Sequence, residues 1–424
     1  MHYNILVFPC GSEIGLEIHR SLKFSRHITL YGANSVDDHG RFVFENYFSG
    51  LPFFNEDGFV DKLKALIREN NIDAVYPAMD AVIAFLKDRE EELGCKVIAP
   101  SKEVTETCLS KAKTYRLLKD SILVPKTYES FDEVDHFPVF LKPDIGYGSR
   151  GVLKVNSKEE GQKHLIDYPT CLISEYLPGK EYTVDCFTDR NGKLLYYGAR
   201  ERKRVMNGIS VNTIPFKERG EEIAEIVAKV NSKISFSGAW FIQLKENSRG
   251  RLALLEIAAR LGGSSSLNRN LGVNFALLSV FNTFGLDVDV FTNDYMIELD
   301  RALDNKYKLS IVYDTVYCDF DDCLIFGNKV NTQLLCFLYQ CINEDKKLVL
   351  VTKHENDIHE TLSKMRLSSV FDKIIHLKPG ERKYRYMQGE KSIFIDDSHV
   401  ERKEAFANLG IPVFAPDNIE CLLK

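Results

Sequence analysis

Residues 137–155 read FPVFLKPDIGYGSRGVLKV, two apolar strands on either side of a glycine-rich loop. Lys142 closes the first strand. Gly146, Gly148 and Gly151, with Ser149, let backbone N–H groups approach phosphate oxygens closely, and flanking cations add charge. The spacing is not G-x-x-x-x-G-K-[ST], so a P-loop is excluded. Taken alone, such a loop reads equally well as a mobile hairpin tip. Outward from it the pattern narrows. Glu175 ends the strand LISEYL, and Glu181 follows shortly after. Gln243 and Glu256 lie on two adjacent apolar strands, GAWFIQLKE and RLALLEIAAR, joined by a turn at 247–250. Arg260 ends the second and runs into Leu261-Gly262-Gly263-Ser264. Gln and Glu side-chain oxygens suit Mg²⁺, a hard cation that also takes phosphate oxygens.

This ordered set resembles the ATP-grasp superfamily, in the branch similar to the carbamoyl phosphate synthase large subunit and the carboxylate–amine ligases. The segment SKAKTYRLLKDSILVPKTY looks like the helix and strand that enter its nucleotide-binding domain. The resemblance implies that Lys111 and Lys142 touch ATP phosphates under a flap at 146–151, with Gly148, Ser149 and Gly151. It implies that Glu175 and the Leu177 backbone meet adenine, and that Glu181 meets the ribose. Gln243 and Glu256 would hold Mg²⁺, for which Mn²⁺ can substitute, and Arg260 would stabilise the transferred phosphoryl group or an acyl phosphate. The family often carries Glu-x-Asn where this chain has Glu256-Ile257-Ala258, and Ala258 cannot coordinate a metal. Either a second Mg²⁺ is held more loosely or another group substitutes. The implied chemistry is phosphoryl transfer from ATP to a small-molecule carboxylate, followed by attack of an amine. The substrate should lie near Arg260, Gly263 and the segment 200–210. There Arg202, Arg204 and Ser210 are candidates to anchor a carboxylate, although the same charge run also reads as a solvated loop.

A second constellation follows the polar stretch near residue 300. VYCDFDDCLI places Asp319, Asp321 and Asp322 just after a buried strand, where a carboxylate can act as nucleophile and a neighbour as acid/base. Thr352 ends KLVLVT, Lys378 and Lys383 follow KIIHL, and Asp396 and Asp397 end SIFIDD. In that order they resemble the haloacid-dehalogenase superfamily over about residues 310–424. By resemblance Asp319 is the nucleophile, Asp321 the general acid/base and Thr352 a phosphate ligand. Lys383, with Lys378 as the alternative, neutralises the aspartyl-phosphate. Asp319, Asp321 and Asp396 take Mg²⁺, with Asp397 assisting. Asp322 and Cys323 replace the usual Gly and Thr. The gaps from Asp321 to Thr352 and on to Lys383 are too short for a cap domain, so an open site is expected, fit for a bulky substrate or for a lid lent by the ATP-grasp part.

Elsewhere, NILVF, HITLYG, IDAVYP and CKVIAP are four expected strands alternating with helices, hence a parallel sheet. Gly11 and Gly15 mark either a tight turn or a ligand crevice at the strand–helix junction. The expected architecture is α/β multidomain. It has a Rossmann-like domain over 1–100, an α+β ATP-grasp domain over 101–305, and a capless α/β domain with a parallel sheet over 306–424. Composition is 44% hydrophobic and 27% charged with a formal net charge of −6, which argues against disorder and against a nucleic-acid binder. No stretch approaches the ~18 apolar residues of a membrane span. The ten cysteines show no C-x-x-C spacing and read as reduced core thiols. A cytoplasmic enzyme is expected, with dimerisation suggested only by the superfamily. The leading reading is a ligase with a linked phosphatase. The alternatives are a phosphatase whose ATP-grasp part is only a nucleotide-binding sensor or scaffold, which Ala258 favours, and a non-enzymatic role in assembling a complex.

Overall fold

A strand of uninterrupted apolar residues is stable only when both of its faces are covered. Both ends of this chain are built on that rule. The computed structural model describes residues 1–146, 150–293, 295–303, 307 and 309–424. It divides into two compact units, Met1–Leu303 and Asp304–Lys424.

The first unit opens with β1 (Tyr3–Phe8), β2 (Ile28–Ala33), β3 (Asn46–Phe48), β4 (Ala74–Pro77) and β5 (Lys96–Val97). They form a parallel sheet in the order β3-β2-β1-β4-β5. Ile5 and Val7 enter one core with Ile18 and Leu22 of the helix Glu13–Leu22. Leu6 and Phe8 enter another with Phe59 and Leu63 of the helix Phe59–Glu69. Four strands were expected here; the fifth, Asn46–Phe48, is three residues long and opens on a polar residue, so it carries no apolar run. At the first turn Ser12 caps the following helix, accepting from the Gly15 N–H at 3.0 Å. A Cβ on Gly15 would lie 2.5 Å from the Cys10 carbonyl oxygen, so only glycine lets the helix start this close to the strand.

Two antiparallel sheets follow. β6 (Thr127–Tyr128), β7 (Val139–Pro143), β8 (Leu153–Val155) and β9 (Cys171–Glu175) pair in the order β6-β9-β7-β8. β10 (Glu181–Thr188), β11 (Leu194–Met206), β12 (Ile209–Pro215), β13 (Gly238–Glu246), β14 (Leu252–Ala258) and β15 (Leu299–Asp300) pair as β14-β13-β10-β11-β12-β15. Successive residues on a strand face opposite sides. Tyr182, Val184, Trp240 and Ile242 therefore pack on Val227 and Val230 of the helix Gly220–Lys233, and the intervening residues face away. The charge run 200–206 is not a solvated loop. It is the end of β11, turned into β12 through Asn207 and Gly208 at φ 49° and 77°. Both are left-handed, as a two-residue hairpin requires.

The second unit contains β16 (Thr315–Cys318), the hairpin β17 (Ile325–Phe326) and β18 (Lys329–Val330), then β19 (Lys347–Thr352), β20 (Lys373–His376), β21 (Ser392–Ile395) and β22 (Val413–Phe414). Its parallel sheet runs β20-β19-β16-β21-β22. Val316 and Cys318 join a core with Phe337 and Leu338 of the helix Thr332–Asn343, and Tyr317 joins the opposite core with Ala405.

Phe337 is fully buried in the second unit, whereas the single tryptophan, Trp240, lies in the first. Phe337→Ala should cost the second unit about 3–5 kcal/mol through lost transfer energy and a residual cavity. In urea, circular dichroism should then show an early transition while the Trp240 fluorescence transition stays in place.

Candidate functional site

The face of β10 and β13 turned away from the helices lines a cavity of about 650 Å³. Register arranges it in cross-strand rows. Lys245 lies opposite Glu181 in one row. In the next, Glu256, Gln243, Thr183 and Arg200 stand side by side across β14, β13, β10 and β11. In the third, Ala258, Phe241 and Asp185 do so. Of the residues expected to bind ATP, metal or substrate, Lys111, Lys142, Glu175, Leu177, Glu181, Arg202, Ser210, Gln243, Glu256, Arg260 and Gly263 all line this cavity. Gly148 and Ser149 lie outside the described residues. Gly151 lies between the lining residues Arg150 and Val152 and turns its carbonyl to His164.

Lys142 is buried, and its Nζ donates to the Tyr115 hydroxyl and, at 3.4 Å, to the Leu255 carbonyl. That carbonyl, which also accepts from the Tyr115 hydroxyl at 2.5 Å, lies where the β13–β14 pairing slips beside Gln243 and leaves Leu255 without a partner opposite. Burial, reinforced by the Lys111 charge, pulls the Lys142 ammonium down to about 7. Lys111 Nζ lies 4.0 Å from Glu256 Oε2. The Gln243 amide donates to Glu256 Oε1 at 2.7 Å. Glu256 thus offers carboxylate oxygens that suit a hard divalent cation, whereas Gln243 turns its amide nitrogen to Glu256 and its oxygen to Arg202, so a metal role for Gln243 requires its amide to turn over. Ala258 adds no oxygen donor.

Arg200, Arg202, Arg204 and Arg260 are each held by an acid. Arg260 forms a two-pronged bridge to Asp80 (Nε–Oδ1 2.9 Å, Nη2–Oδ2 2.7 Å) at the start of the helix Asp80–Lys87. Arg202 donates to Glu181, to Gln243 Oε1 at 2.8 Å and to the Gly208 carbonyl at 2.6 Å. Its two terminal nitrogens thus tie the hairpin tip to the Glu181 and Gln243 side chains, while its buried Nε has no partner among the described residues. The expected role of Arg204 as a substrate anchor is corrected. The β11–β12 register slips on both sides of it, and it turns to Asp300 at 2.8 Å, outside the cavity lining. Arg200 pairs with Asp185 (Nε–Oδ2 2.7 Å), which also accepts from Asn268 at 2.8 Å. Asp80, Asp185, Glu13 and Arg200 were missed in the sequence. The polar alternation Glu181, Thr183, Asp185 carried a signal for one of them; Asp80 and Glu13 carried none. Glu13 packs on the glycine turn, where a Cβ on Gly263 would lie 1.8 Å from Glu13 Oε1.

In the second unit, parallel register places Cys318 beside both Leu350 and Ile395, so the acids that follow β16 and β21 emerge together. This is the carboxyl end of a parallel sheet, where ligands of such sheets bind. Lys383 Nζ lies 2.7 Å from Asp319 Oδ1 and 2.7 Å from Asp396 Oδ2, all three buried. Lys383, not Lys378, is therefore the lysine of this cluster; Lys378 is exposed, and its backbone N–H bonds Glu381. Burial, then the Asp396 charge, raises the Asp319 carboxyl, with Lys383 opposing them. Among the described residues, the acids whose oxygens come within 4.8 Å of one another are Asp319, Asp396 and Asp397, a hard donor set that fits Mg²⁺. Asp321 departs from its expected place as a metal ligand. Its exposed carboxylate faces His354 Nδ1 at 2.9 Å. His354 was missed; its only sequence signal is its position two residues after Thr352, whose Oγ1 accepts from the His354 N–H at 3.2 Å. Asp322 sits at φ 54°, a region Asp tolerates better than most side chains.

Residues 167–301 match the family described as "ATP-grasp in the biosynthetic pathway with Ter operon". The chain is similar to a phosphoribosylamine–glycine ligase of Halalkalibacterium halodurans, 27% identical over 168 residues, 35% of this chain and 39% of that protein. It is similar to a D-alanine–D-alanine ligase of Fusobacterium nucleatum, 27% identical over 187 residues, 40% of this chain and 62% of that one. It thus spans less than two thirds of either relative. The biotin carboxylase domain of Hydrogenobacter thermophilus 2-oxoglutarate carboxylase, solved with MgADP, ADP and bicarbonate, has the same fold at a TM-score of 0.59 and 17% identity, over 69% of this chain and 72% of that one. An ATP-grasp fold is therefore present.

Lys383→Met would leave two buried carboxylates without their cation, at a cost to the second unit of about 3–5 kcal/mol at neutral pH. Because the folded Asp319 carboxyl titrates near 7 against an ordinary 3.8, its charge weighs against folding increasingly as pH rises through that interval. The urea midpoint of the variant should accordingly be closer to wild type at pH 5 than at pH 8.

Proposed function

Starting from an ATP-grasp fold, we propose that this chain is an ATP-dependent, ADP-forming ligase that joins a carboxylate to an amine through an acyl phosphate. We propose further that its second unit is a Mg²⁺-dependent phosphatase of the haloacid-dehalogenase type. The observation that carries the first reading is the convergence, in one cavity, of Lys111, Lys142, the Gln243–Glu256 couple and the Arg260 fork. Two relatives named as ligases of amino acids support it.

In this reading Glu175 and Leu177 receive the adenine, and Lys111 and Lys142 lie along the phosphates. Mg²⁺ held by Glu256 and Gln243 would neutralise phosphate charge. Asp80 keeps the Arg260 guanidinium oriented before substrate arrives, so little reorganisation is needed when charge develops on the transferred group. Glu181, for which a ribose role was expected, is bonded to Arg202 and lies 3.5 Å from Lys245. It meets a ribose only with its second oxygen or after exchanging partners. In the second unit Asp319 attacks phosphorus, Asp321 gives a proton to the leaving oxygen, and water then cleaves the aspartyl phosphate. Lys383 offsets the charge on Asp319 throughout.

Purified protein with Mg²⁺, ATP and pooled organic acids and amines should release ADP only with particular pools, and equally in Asp319→Asn. Glu256→Gln should lower that rate at least about a hundredfold, the scale of losing a charge-stabilising group. Asp319→Asn should in turn abolish hydrolysis of p-nitrophenyl phosphate. Should no pool yield ADP, or should all ATP loss vanish in Asp319→Asn, the ligase reading fails. A phosphatase with a nucleotide-binding first unit then replaces it, the reading that Ala258 favours.

Lys142 supplies a separate test. Its ammonium titrates near 7 in the free protein, and adjacent phosphates would restore its charge. At pH 8, ATP binding should take up about one proton, seen as a dependence of calorimetric heat on buffer ionisation enthalpy. The uptake should be nearly absent at pH 6 and lost in Lys142→Arg.

A further inference from the structure

We infer that Arg200 and Ser210 form a carboxylate subsite for the amine substrate, which is accordingly an amino acid with an apolar side chain. The inference rests on the ligase reading for the word amine; the subsite itself rests on four observations.

Arg200 is 3% exposed and Ser210 7% exposed, and both line the cavity. Arg200 spends Nε and Nη2 on Asp185. Its Nη1 and the Ser210 Oγ have no hydrogen-bond partner among the described residues, and neither does the neighbouring Arg202 Nε. Buried polar groups almost always find partners. The deficit at these three atoms is of acceptors, since the two arginine nitrogens can only donate and the serine hydroxyl is free to do so; the unpartnered Asn212 Oδ1, two residues along β12, lies outside the cavity lining. A carboxylate supplies acceptors and no donor. The Arg200 charge is already balanced by Asp185, so a carboxylate adds a single negative charge where a phosphate would add nearly two.

The glycine turn packs closely against this pair. A Cβ on Gly262 would lie 3.3 Å from Arg200 Nη2, so any larger residue would crowd the guanidinium. The Ser264 hydroxyl ties the glycine turn to the Ser210 carbonyl at 3.0 Å. The unpartnered atoms are closed off from solvent in the arrangement described, so seating a ligand oxygen requires the tip of β12 to shift.

This position is not that of the reacting carboxylate. Arg200 lies on β11, two strands from Gln243 and three from Glu256. That is roughly 10–14 Å between backbones at ~4.8 Å per strand. The group held there is the non-reacting end of the second substrate. Its body meets Val205 and Ile209, which line the same cavity while 43% and 41% exposed. Val205 stands directly opposite Ser210 in the hairpin. Apolar side chains at a cavity wall favour an apolar guest.

The test is equilibrium dialysis of the full chain, with Mg²⁺ and a non-hydrolysable ATP analogue, against a racemic pool of alanine, valine, leucine, methionine and phenylalanine. A parallel dialysis uses the carboxamides of the same five. We expect retention of at least one amino acid without its carboxamide, and a Kd at least tenfold weaker in Ser210→Ala. Arg200→Lys should behave alike if it folds; Ser210→Ala decides where it does not. Retention of none, equal retention of acid and carboxamide, or an unchanged Kd in Ser210→Ala overturns the subsite. Hydroxamate formation from ATP, hydroxylamine and pooled organic acids reports the ligase reading independently, since hydroxylamine replaces the amine. Hydroxamate without amino-acid retention sinks the subsite alone. Retention without hydroxamate sinks the ligase reading and the assignment to an amine, leaving a carboxylate site.

Discussion

Residues 181–187 and 240–245 alternate between a packed core and an open cavity, and the first unit depends on that alternation. Tyr182, Val184, Trp240 and Ile242 are held in the core with the helix Gly220–Lys233. Glu181, Thr183, Phe241 and Gln243 consequently face the cavity. A slip of one residue in 240–245 would expose Trp240 and bury Gln243, and one in 181–187 would expose Tyr182 and bury Glu181, so hydrophobic burial fixes the placement of the chemical groups. The one place where the pairing slips beside them, next to Gln243, leaves Leu255 without a partner opposite, and its carbonyl helps hold Lys142.

Electrostatics then shape the cavity. Positive groups would repel one another if simply gathered in a low-dielectric pocket. Three of the arginines that line the cavity are each paired with an acid from another strand or helix: Arg260 with Asp80, Arg202 with Glu181, Arg200 with Asp185. Lys142 has no acid in hydrogen-bond reach among the described residues, and burial pulls its ammonium down. The second unit uses the opposite arrangement, two buried acids sharing one lysine, with Lys383 between Asp319 and Asp396.

Much of this was legible in the chain. The apolar runs at residues 4–8 and 347–352 announced sheets covered on both faces. The glycine-rich loop and the order Lys142, Glu175, Glu181, Gln243, Glu256 announced the cavity that gathers them. The strand-end acids Asp319 and Asp396 needed only parallel neighbours to meet, and β16 and β21 are neighbours. What misled was the charge run at 200–206. Arg202 and Arg204 look alike in sequence, yet a register slip on both sides of Arg204 sends one inward and the other to Asp300.

By itself the sequence determined where the apolar strands lie, which of their faces is apolar and in what order the chemical groups arrive, because these follow from local periodicity and from turns; the short strand Asn46–Phe48 and the charged end of β11 carried no such pattern. The partners of those groups were decided only by tertiary structure. Asp80 is 180 residues from Arg260, and Glu13 is 288 residues from Arg301. An ion pair or a shared lysine is a relation between elements, set by how sheets and helices stack, and no window of the chain contains both of its ends.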